Sequence, residues 1–107
     1  MAQFDDREKA QEAKFAHDGE LRFKAEARRN KLLGQWVAGL MGLSGDAANA
    51  YAADVVAADF VEAGEEDVFR KVAGDLKAKN VAVADDVIRR KMAELAATAR
   101  QQVLTEG

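Results

Sequence analysis

Residue types that could carry out catalysis are scarce in this chain of 107 residues. The chain contains no cysteine, which excludes a disulfide scaffold, a thiolate zinc site and a cysteine nucleophile. Its one histidine, His17, stands beside Asp18. A single histidine without a second ligand or an orienting partner supports neither a metal site nor a general base. We therefore interpret His17 as a solvated residue or one at the edge of the folded part.

Other catalytic and ligand-binding motifs are equally weak. The glycines at positions 34, 39, 42 and 45 follow no strand and precede no Lys-Ser/Thr pair, so they do not form a phosphate-binding loop. Paired carboxylates stand at Glu65-Glu66 and Asp85-Asp86, at predicted helix starts, where helix capping and the helix dipole explain them. The sequence therefore predicts no enzyme, no resident cofactor and no metal site.

Charge is distributed unevenly along the chain. The net charge of −3 divides into +1 over residues 1–31, −7 over residues 32–67, which include no Lys or Arg, and +3 over residues 68–107. One interpretation is an acidic second helix beside mixed or basic neighbours, with ion pairs to it from Arg28-Arg29 and Arg89-Arg90-Lys91. Anion binding by these basic clusters is the alternative. A negative partner surface is the other interpretation of the acidic stretch, and nucleic acid is a poor partner for it.

The spacing of apolar residues predicts the fold. The chain has no proline and is rich in alanine, the best helix former, so nothing interrupts a helix. Apolar residues recur at spacings of three and four, which is typical of amphipathic helices. The predicted helices cover residues 5–41, 45–63, 65–79 and 85 onward, with Ser44 as an N-cap and Gly42 and Asn80 as C-terminal caps. The short links predict an all-α, antiparallel four-helix bundle.

Large apolar residues on the inner helix faces form the predicted core. These residues are Leu32, Leu33, Trp36, Leu40, Val55, Phe60, Phe69, Val72, Leu76, Ile88, Met92 and Leu95. Trp36 lies at helical spacing from neighbouring leucines, so we assign it to the core and not to a cofactor platform. Alanine supplies much of the 49% hydrophobic content, which predicts a thin core.

The first eighteen residues follow a different pattern. Phe4 and Phe15 are eleven positions apart and share a helical face, but the residues between them on that face are polar. A helix that packs on a core shows a wider apolar stripe, and Gly19 weakens a helix by about 1 kcal/mol relative to alanine. One interpretation is a frayed extension. The other is a segment that is mobile when free and orders in a partner's groove, with Phe4 and Phe15 as anchors.

No targeting or membrane segment is predicted. The chain is charged within its first five residues, unlike a secretory signal, and no apolar run approaches the roughly 20 residues of a membrane span. We therefore expect a cytoplasmic location.

Longer runs of the sequence carry a resemblance. They are FDDRE from Phe4, EAKFAHD from Glu12, RFKAEARRNKLLGQW from Arg22, LMGLSG from Leu40, AYAADVVAADF from Ala50, EEDVFRKVAGDL from Glu65 and IRRKMAEL from Ile88. Together they resemble the zeta subunit family, the inhibitory subunit of the alphaproteobacterial F-type ATP synthase. Charged, aromatic and glycine positions all agree, in order and over nearly the whole chain. Two departures are Gln11, where the family more often has an aromatic residue, and Gly19, where an acidic residue is more usual.

The resemblance implies a fold and a function. The family fold is a four-helix bundle, here residues 19–107, preceded by an inhibitory segment, residues 1–18. The implied function is to block ATP hydrolysis, with the segment inserted at a catalytic interface of the alpha and beta subunits near gamma, as a one-way stop. The implied contact residues are Phe4, Asp5, Asp6, Arg7, Glu8, Lys14 and Phe15. The implied location is the cytoplasm, peripheral to the inner membrane through the synthase.

Two other functions stay open at this point. Some members of the family are described as binding adenine nucleotide weakly, which no motif in this sequence predicts, so one alternative is a nucleotide-sensing bundle. The other is a general protein-interaction bundle with a partner outside the synthase. Titration with ATP and recovery of partners by pull-down separate these alternatives from an inhibitor.

Overall fold

The computed structural model describes residues 19–61 and 65–106, with only the backbone at Phe60 and Val61. In these two ranges the chain forms four α-helices and no strand. The helices are α1, Gly19–Leu40; α2, Gly45–Val61; α3, Glu65–Ala78; and α4, Asp85–Glu106. The predicted all-α class is confirmed. The part of the predicted first helix before Gly19 lies outside the described residues.

A glycine ends α1, as the sequence predicts. Gly42 has a φ of 78°, in the left-handed region where a residue without Cβ has no steric penalty. The Leu43 N–H donates to the Ala38 carbonyl over 2.9 Å, and the Gly42 N–H donates to the Gly39 carbonyl over 3.2 Å. These two bonds form a Schellman motif, which satisfies carbonyls that the helix end would otherwise leave unpaired.

An asparagine in the left-handed conformation ends α3 in the same way. Asn80 has a φ of 59°, and its N–H donates to the Lys77 carbonyl over 3.0 Å. The Val81 N–H donates to the Leu76 carbonyl over 2.9 Å, and the Val81 side chain packs against the core. Asparagine tolerates the left-handed conformation better than other residues with a side chain, which is why it can replace glycine here.

Contacts between helices show the topology. Arg28 in the first half of α1 pairs with Glu106 at the end of α4, and the ring of Trp36 faces Lys91 near the start of α4. These two helices therefore run antiparallel. The four-residue link between α1 and α2 makes that pair antiparallel as well. Helix α1 contacts all three other helices, so it is the central element of the bundle.

The core lies where the four helices meet. Of the predicted core residues, the structure buries Leu33, Val55, Phe69, Val72, Leu76, Ile88 and Met92, and packs the half-buried Trp36 and Leu95 against them. It adds Val37 and Val68 to the same cluster. The side chain of Phe60 lies outside the described part of the chain.

Two of the residues predicted to lie in the core lie outside it. Leu40 is 39% exposed, although its helical phase matches that of Leu33. It is the last residue of α1, at an end of the bundle where few neighbours cover it, and Val87 in the first turn of α4 is similarly exposed. Leu32 is only half-buried and lies outside the core cluster, because it stands at the edge of the apolar stripe.

Helices α1 and α2 pack closely at a glycine. A Cβ atom built at Gly34 would lie 2.6 Å from the Cα of Ala52 and 3.1 Å from its Cβ, and real Cβ atoms do not approach backbone so closely. The absence of a side chain at Gly34 therefore sets the separation of the two helices. Ala52 is itself buried, which shows why small residues contribute to this core.

Candidate functional site

The residues that the resemblance makes inhibitory all lie outside the described residues. They are Phe4, Asp5, Asp6, Arg7, Glu8, Lys14 and Phe15. His17 lies outside as well. The structure describes the chain that immediately follows them, the N-terminal half of α1, and the contacts that hold this half on the bundle.

The N-terminal half of α1 buries few apolar side chains. Between Gly19 and Arg28, all of which is described, Ala25 is the one buried apolar residue, and Phe23 is 53% exposed. The first large apolar side chain of α1 that is fully buried is Leu33. Two polar contacts, at Arg28 and at Arg29, also attach this part of the helix to its neighbours.

The first of these contacts joins α1 to α4 through Arg28. Its guanidinium donates from Nη1 and Nη2 to the two carboxylate oxygens of Glu106, both over 2.7 Å, and from Nη1 to Oε1 of Gln102 over 2.8 Å. We call these three residues the Arg28 clamp. The hydrogen bond from Arg28 holds the pKa of the Glu106 carboxyl below its usual range, and the same bond raises the pKa of Arg28.

The second contact joins α1 to α3 through Arg29, whose side chain is only 8% exposed. Its Nε and Nη2 donate to Oδ1 of Asn30 over 3.1 and 3.0 Å, and its Nη1 donates to Glu65 over 3.1 Å. Asn30 is fully buried, and its Nδ2 has no hydrogen-bond partner in the described structure. A buried guanidinium needs such acceptors, because an unpaired buried charge is strongly destabilising.

A cavity of about 230 Å³ adjoins Arg29 between α1, α3 and α4. We call it the arginine cavity, and its lining consists of Arg22, Ala25, Glu26, Arg29, Glu65, Ala96 and Arg100. Three guanidinium groups against two carboxylates give the lining a net positive charge. Guanidinium groups suit phosphate and carboxylate ligands, since their planar donors bind two oxygens at once. Within the described residues no group of three His, Asp or Glu side chains could hold a metal ion.

The ion pairs of the basic clusters differ from the prediction. Arg28 and Arg29 pair with acids of α4 and α3, and Arg89 pairs with Glu66 of α3 over 3.0 Å. Arg90 and Lys91 pair within α4, with Asp86 and Glu94. Among the described residues none of these side chains pairs with an acid of α2, so the expected pairing is not found there. The antiparallel bundle places the basic part of α1 beside the end of α4 and the start of α3.

Sequence reasoning missed Asn30, Gln102 and Glu106 as partners of the two arginines. One signal could have indicated Asn30, since it precedes Leu33 by three residues and Val37 by seven and so shares their buried face. Nothing in the sequence pairs Arg28 with Glu106, because 78 positions separate the two residues.

Acid should weaken the bonds that join the helices at the surface. Bonds from Arg28 and Arg89 hold the pKa values of Glu106 and Glu66 below the ordinary 4.5. Each carboxylate therefore stabilises the fold above pH 4.5, and this contribution disappears as the pH falls through the lowered pKa. We expect Glu106→Gln and Glu66→Gln to lower Tm at neutral pH and to match the unsubstituted chain in strong acid. A Tm difference that persists below both pKa values would contradict this prediction.

The sequence family is shown by direct comparison. The family model of ATPase inhibitor subunit zeta matches residues 1–102. The chain belongs to this family. A protein whose structure was solved by solution NMR is 56% identical to this zeta-family chain, covers 81% of it and 99% of itself, and superposes with a TM-score of 0.71. No curated protein matches the chain.

The family assignment gives the general function. Zeta is an inhibitor subunit of an ATPase, so this zeta-family chain is a regulatory protein that acts on the ATP synthase and not an enzyme. None of the four described helices is long and apolar enough to cross a bilayer.

Proposed function

We propose that this zeta-family chain blocks ATP hydrolysis by inserting residues 1–18 at a catalytic interface of the alpha and beta subunits, near gamma. There the inhibitory segment acts as a one-way stop that permits synthesis and hinders hydrolysis. The observation that carries the proposal is the family match, which begins at residue 1 and so includes the whole segment. The proposal also places the chain in the cytoplasm, peripheral to the inner membrane through the synthase.

The residue types of the segment suit this role. Phe4 and Phe15 each contribute roughly 1.5–3 kcal/mol if they become fully buried in the interface. Arg7 and Lys14 are seven positions apart, so in a helix they share a face and lie roughly 10 Å apart along it, where they can pair with two separate carboxylates. The acidic residues Asp5, Asp6 and Glu8 sit at the start of the predicted helix, where they favour the helical form through the helix dipole.

The bundle of residues 19–107 has a separate task in this proposal. The described core cluster lies within its four helices, and α1 is the helix that follows the inhibitory segment in sequence. The bundle anchors the inserted segment against the outside of the catalytic head. The division at residue 18 stays a prediction.

Photo-crosslinking tests the proposed interface. A photoreactive amino acid at Phe4 or Phe15 should crosslink to alpha, beta or gamma in the assembled synthase. The same amino acid at Ala57, an exposed position on α2, is the matched control and should not crosslink to gamma. Crosslinks from Phe4 and Phe15 to other subunits alone would contradict the insertion.

The arginine cavity favours a second candidate function, the binding of adenine nucleotide through its phosphates. Its three guanidinium groups supply the charge that phosphate needs. At about 230 Å³ the cavity holds a phosphate group but is smaller than a typical ligand pocket of roughly 300–1,000 Å³. The base would therefore remain near the surface, which agrees with weak binding.

We expect ATP to shift the amide resonances of residues that line the arginine cavity, and to do so saturably. Arg22→Gln and Arg100→Gln should each weaken this binding on the order of tenfold, because a charge-assisted hydrogen bond contributes about 1.5–3 kcal/mol. Arg90→Gln, on the outside of α4, should leave it unchanged. Shifts that do not saturate, or that Arg22→Gln leaves unaltered, would contradict a nucleotide site in this cavity.

A further inference from the structure

We propose that Asn30 is a positioning residue for anion binding in the arginine cavity. It holds the guanidinium of Arg29 in place without neutralising the charge, which stays available to a phosphate or pyrophosphate group. This role rests on the second candidate function, the binding of nucleotide phosphates, and it identifies pyrophosphate as the part of the nucleotide that the cavity recognises.

Asn30 holds Arg29 through a single atom. Nε and Nη2 of Arg29 both donate to Oδ1 of Asn30, over 3.1 and 3.0 Å. Because both of these groups are donors, the atom that they contact must be the amide oxygen and not the amide nitrogen. The side chain of Asn30 is fully buried, so packing fixes its position. One edge of the Arg29 guanidinium is therefore held in a single orientation.

The amide of Asn30 leaves the charge of Arg29 unbalanced inside the bundle. A carboxylate is the usual partner of a buried guanidinium, because it accepts two parallel hydrogen bonds on the same edge and cancels the charge. Asn30 supplies one neutral acceptor atom instead. Its Nδ2 has no hydrogen-bond partner in the described structure. The core thus fixes the position of this cation and contributes no counter-charge at that edge.

Glu65 balances the charge of Arg29 only in part. It accepts one bond from Nη1 over 3.1 Å, and its side chain is 66% exposed. Water and salt screen a carboxylate in such a position, so the pair is weak. A guanidinium has five N–H donors. Asn30 and Glu65 together accept from three of them, and the others have no partner in the described structure.

The arginine cavity gives an anion access to this cation. Arg29 lines it together with Arg22 and Arg100, against the carboxylates of Glu26 and Glu65. A phosphate group in the cavity can accept from Arg29 and replace Glu65 as its counter-ion. Guanidinium groups suit such a ligand, since their planar donors bind two oxygens at once. Pyrophosphate alone, without the base, should therefore bind.

Asn30→Asp tests the role of the neutral amide in the full-length chain. The new carboxylate can accept both bonds from Arg29, so the variant should fold, as circular dichroism and Tm measure. Its affinity for inorganic pyrophosphate, measured from saturable amide shifts, should fall on the order of tenfold, because the charge of Arg29 is cancelled. Gln35→Glu is the matched control. It adds the same charge at an exposed position of α1 outside the cavity and should change the affinity by less than about twofold.

Glu65→Gln should have the opposite effect. It removes the carboxylate with which pyrophosphate competes for Arg29, so the affinity should rise about threefold, the size of a weak exposed pair. Asn30 and Glu65 both bond to Arg29, and a purely structural role for the two would not move the affinity in opposite directions.

Three results would overturn the inference. The first is an affinity of Asn30→Asp equal to that of Gln35→Glu. The second is an unchanged or lower affinity of Glu65→Gln, which decides the matter alone if Asn30→Asp does not fold. The third is that neither the unsubstituted chain nor Glu65→Gln binds pyrophosphate, and then the second candidate function fails as well. If the unsubstituted chain binds pyrophosphate and the variants leave the affinity unaltered, the phosphate site stands and only the role of Asn30 is refuted.

Discussion

A chain that lacks residues 1–18 should keep its four-helix bundle and lose inhibition of ATP hydrolysis. The bundle should persist because the described core cluster, from Leu33 to Met92, draws on all four helices of residues 19–106. Inhibition should be lost because the segment supplies both aromatic anchors, Phe4 and Phe15. Burial of two such side chains contributes roughly 3–6 kcal/mol, so we expect affinity to fall on the order of 10²–10⁴-fold.

Titration of the synthase with the full-length and the shortened chain measures this effect. Circular dichroism and thermal unfolding of both chains provide the control for folding. A double substitution, Phe4→Ala with Phe15→Ala, in the full-length chain should produce most of the same loss. A shortened chain that inhibits hydrolysis as well as the full-length chain would show that the bundle, and not the segment, is the inhibitor.

Gly34→Val should cause a large loss of stability. Its Cβ would lie 2.6 Å from the Cα of Ala52 and 3.3 Å from Val55, so α1 and α2 would have to move apart. Overpacking of this kind costs typically 1–3 kcal/mol and occasionally more, and backbone cannot yield as a flexible side chain can. We therefore expect a loss of about 3 kcal/mol, which lowers Tm by roughly 15 °C in a domain of this size.

Gly74→Val is the matched control for this prediction. Gly74 also lies within a helix, but apart from its chain neighbours and its own helix backbone no described atom lies within 4 Å of a Cβ built there. Valine is a slightly better helix former than glycine, so Gly74→Val should leave stability within about 0.5 kcal/mol of the unsubstituted chain. Equal Tm losses in the two variants would mean that valine destabilises these helices generally, and that close packing at Gly34 is not the cause.

Local signals in the sequence predicted the helix boundaries well. Gly42 and Asn80 adopt the left-handed conformation that ends a helix, and α3 and α4 begin at the predicted Glu65 and Asp85. These features depend on the conformational preferences of single residues and their nearest neighbours. Periodicity likewise placed most of the core, since a helical face is a property of one segment alone.

Features that depend on the relative placement of helices were not predictable in the same way. Leu40 has the right helical phase, but its exposure depends on where the neighbouring helices end. The partners of Arg28 and Arg29 depend on which helices lie beside α1, and charge totals along the chain suggested the wrong one. The close approach at Gly34 is a property of two helices, which the sequence of one cannot reveal.

For the candidate inhibitory residues, the sequence pattern alone did not decide the role. Composition and spacing distinguished residues 1–18 from the rest, but on their own they favoured a frayed extension over a partner-binding segment. Only the resemblance chose between them, and the family match over residues 1–102 supports that choice at the level of an ATPase inhibitor.

The central claim is that the chain inhibits the synthase in one direction only. A one-way stop must lower ATP hydrolysis much more than ATP synthesis. The most direct test measures both activities of the source organism's synthase in inverted membrane vesicles, with increasing amounts of the full-length chain. We predict that ATP hydrolysis falls to a low residual level while ATP synthesis, driven by an imposed proton gradient, stays near its starting rate. Equal loss of both activities, or no loss of hydrolysis, would contradict the account.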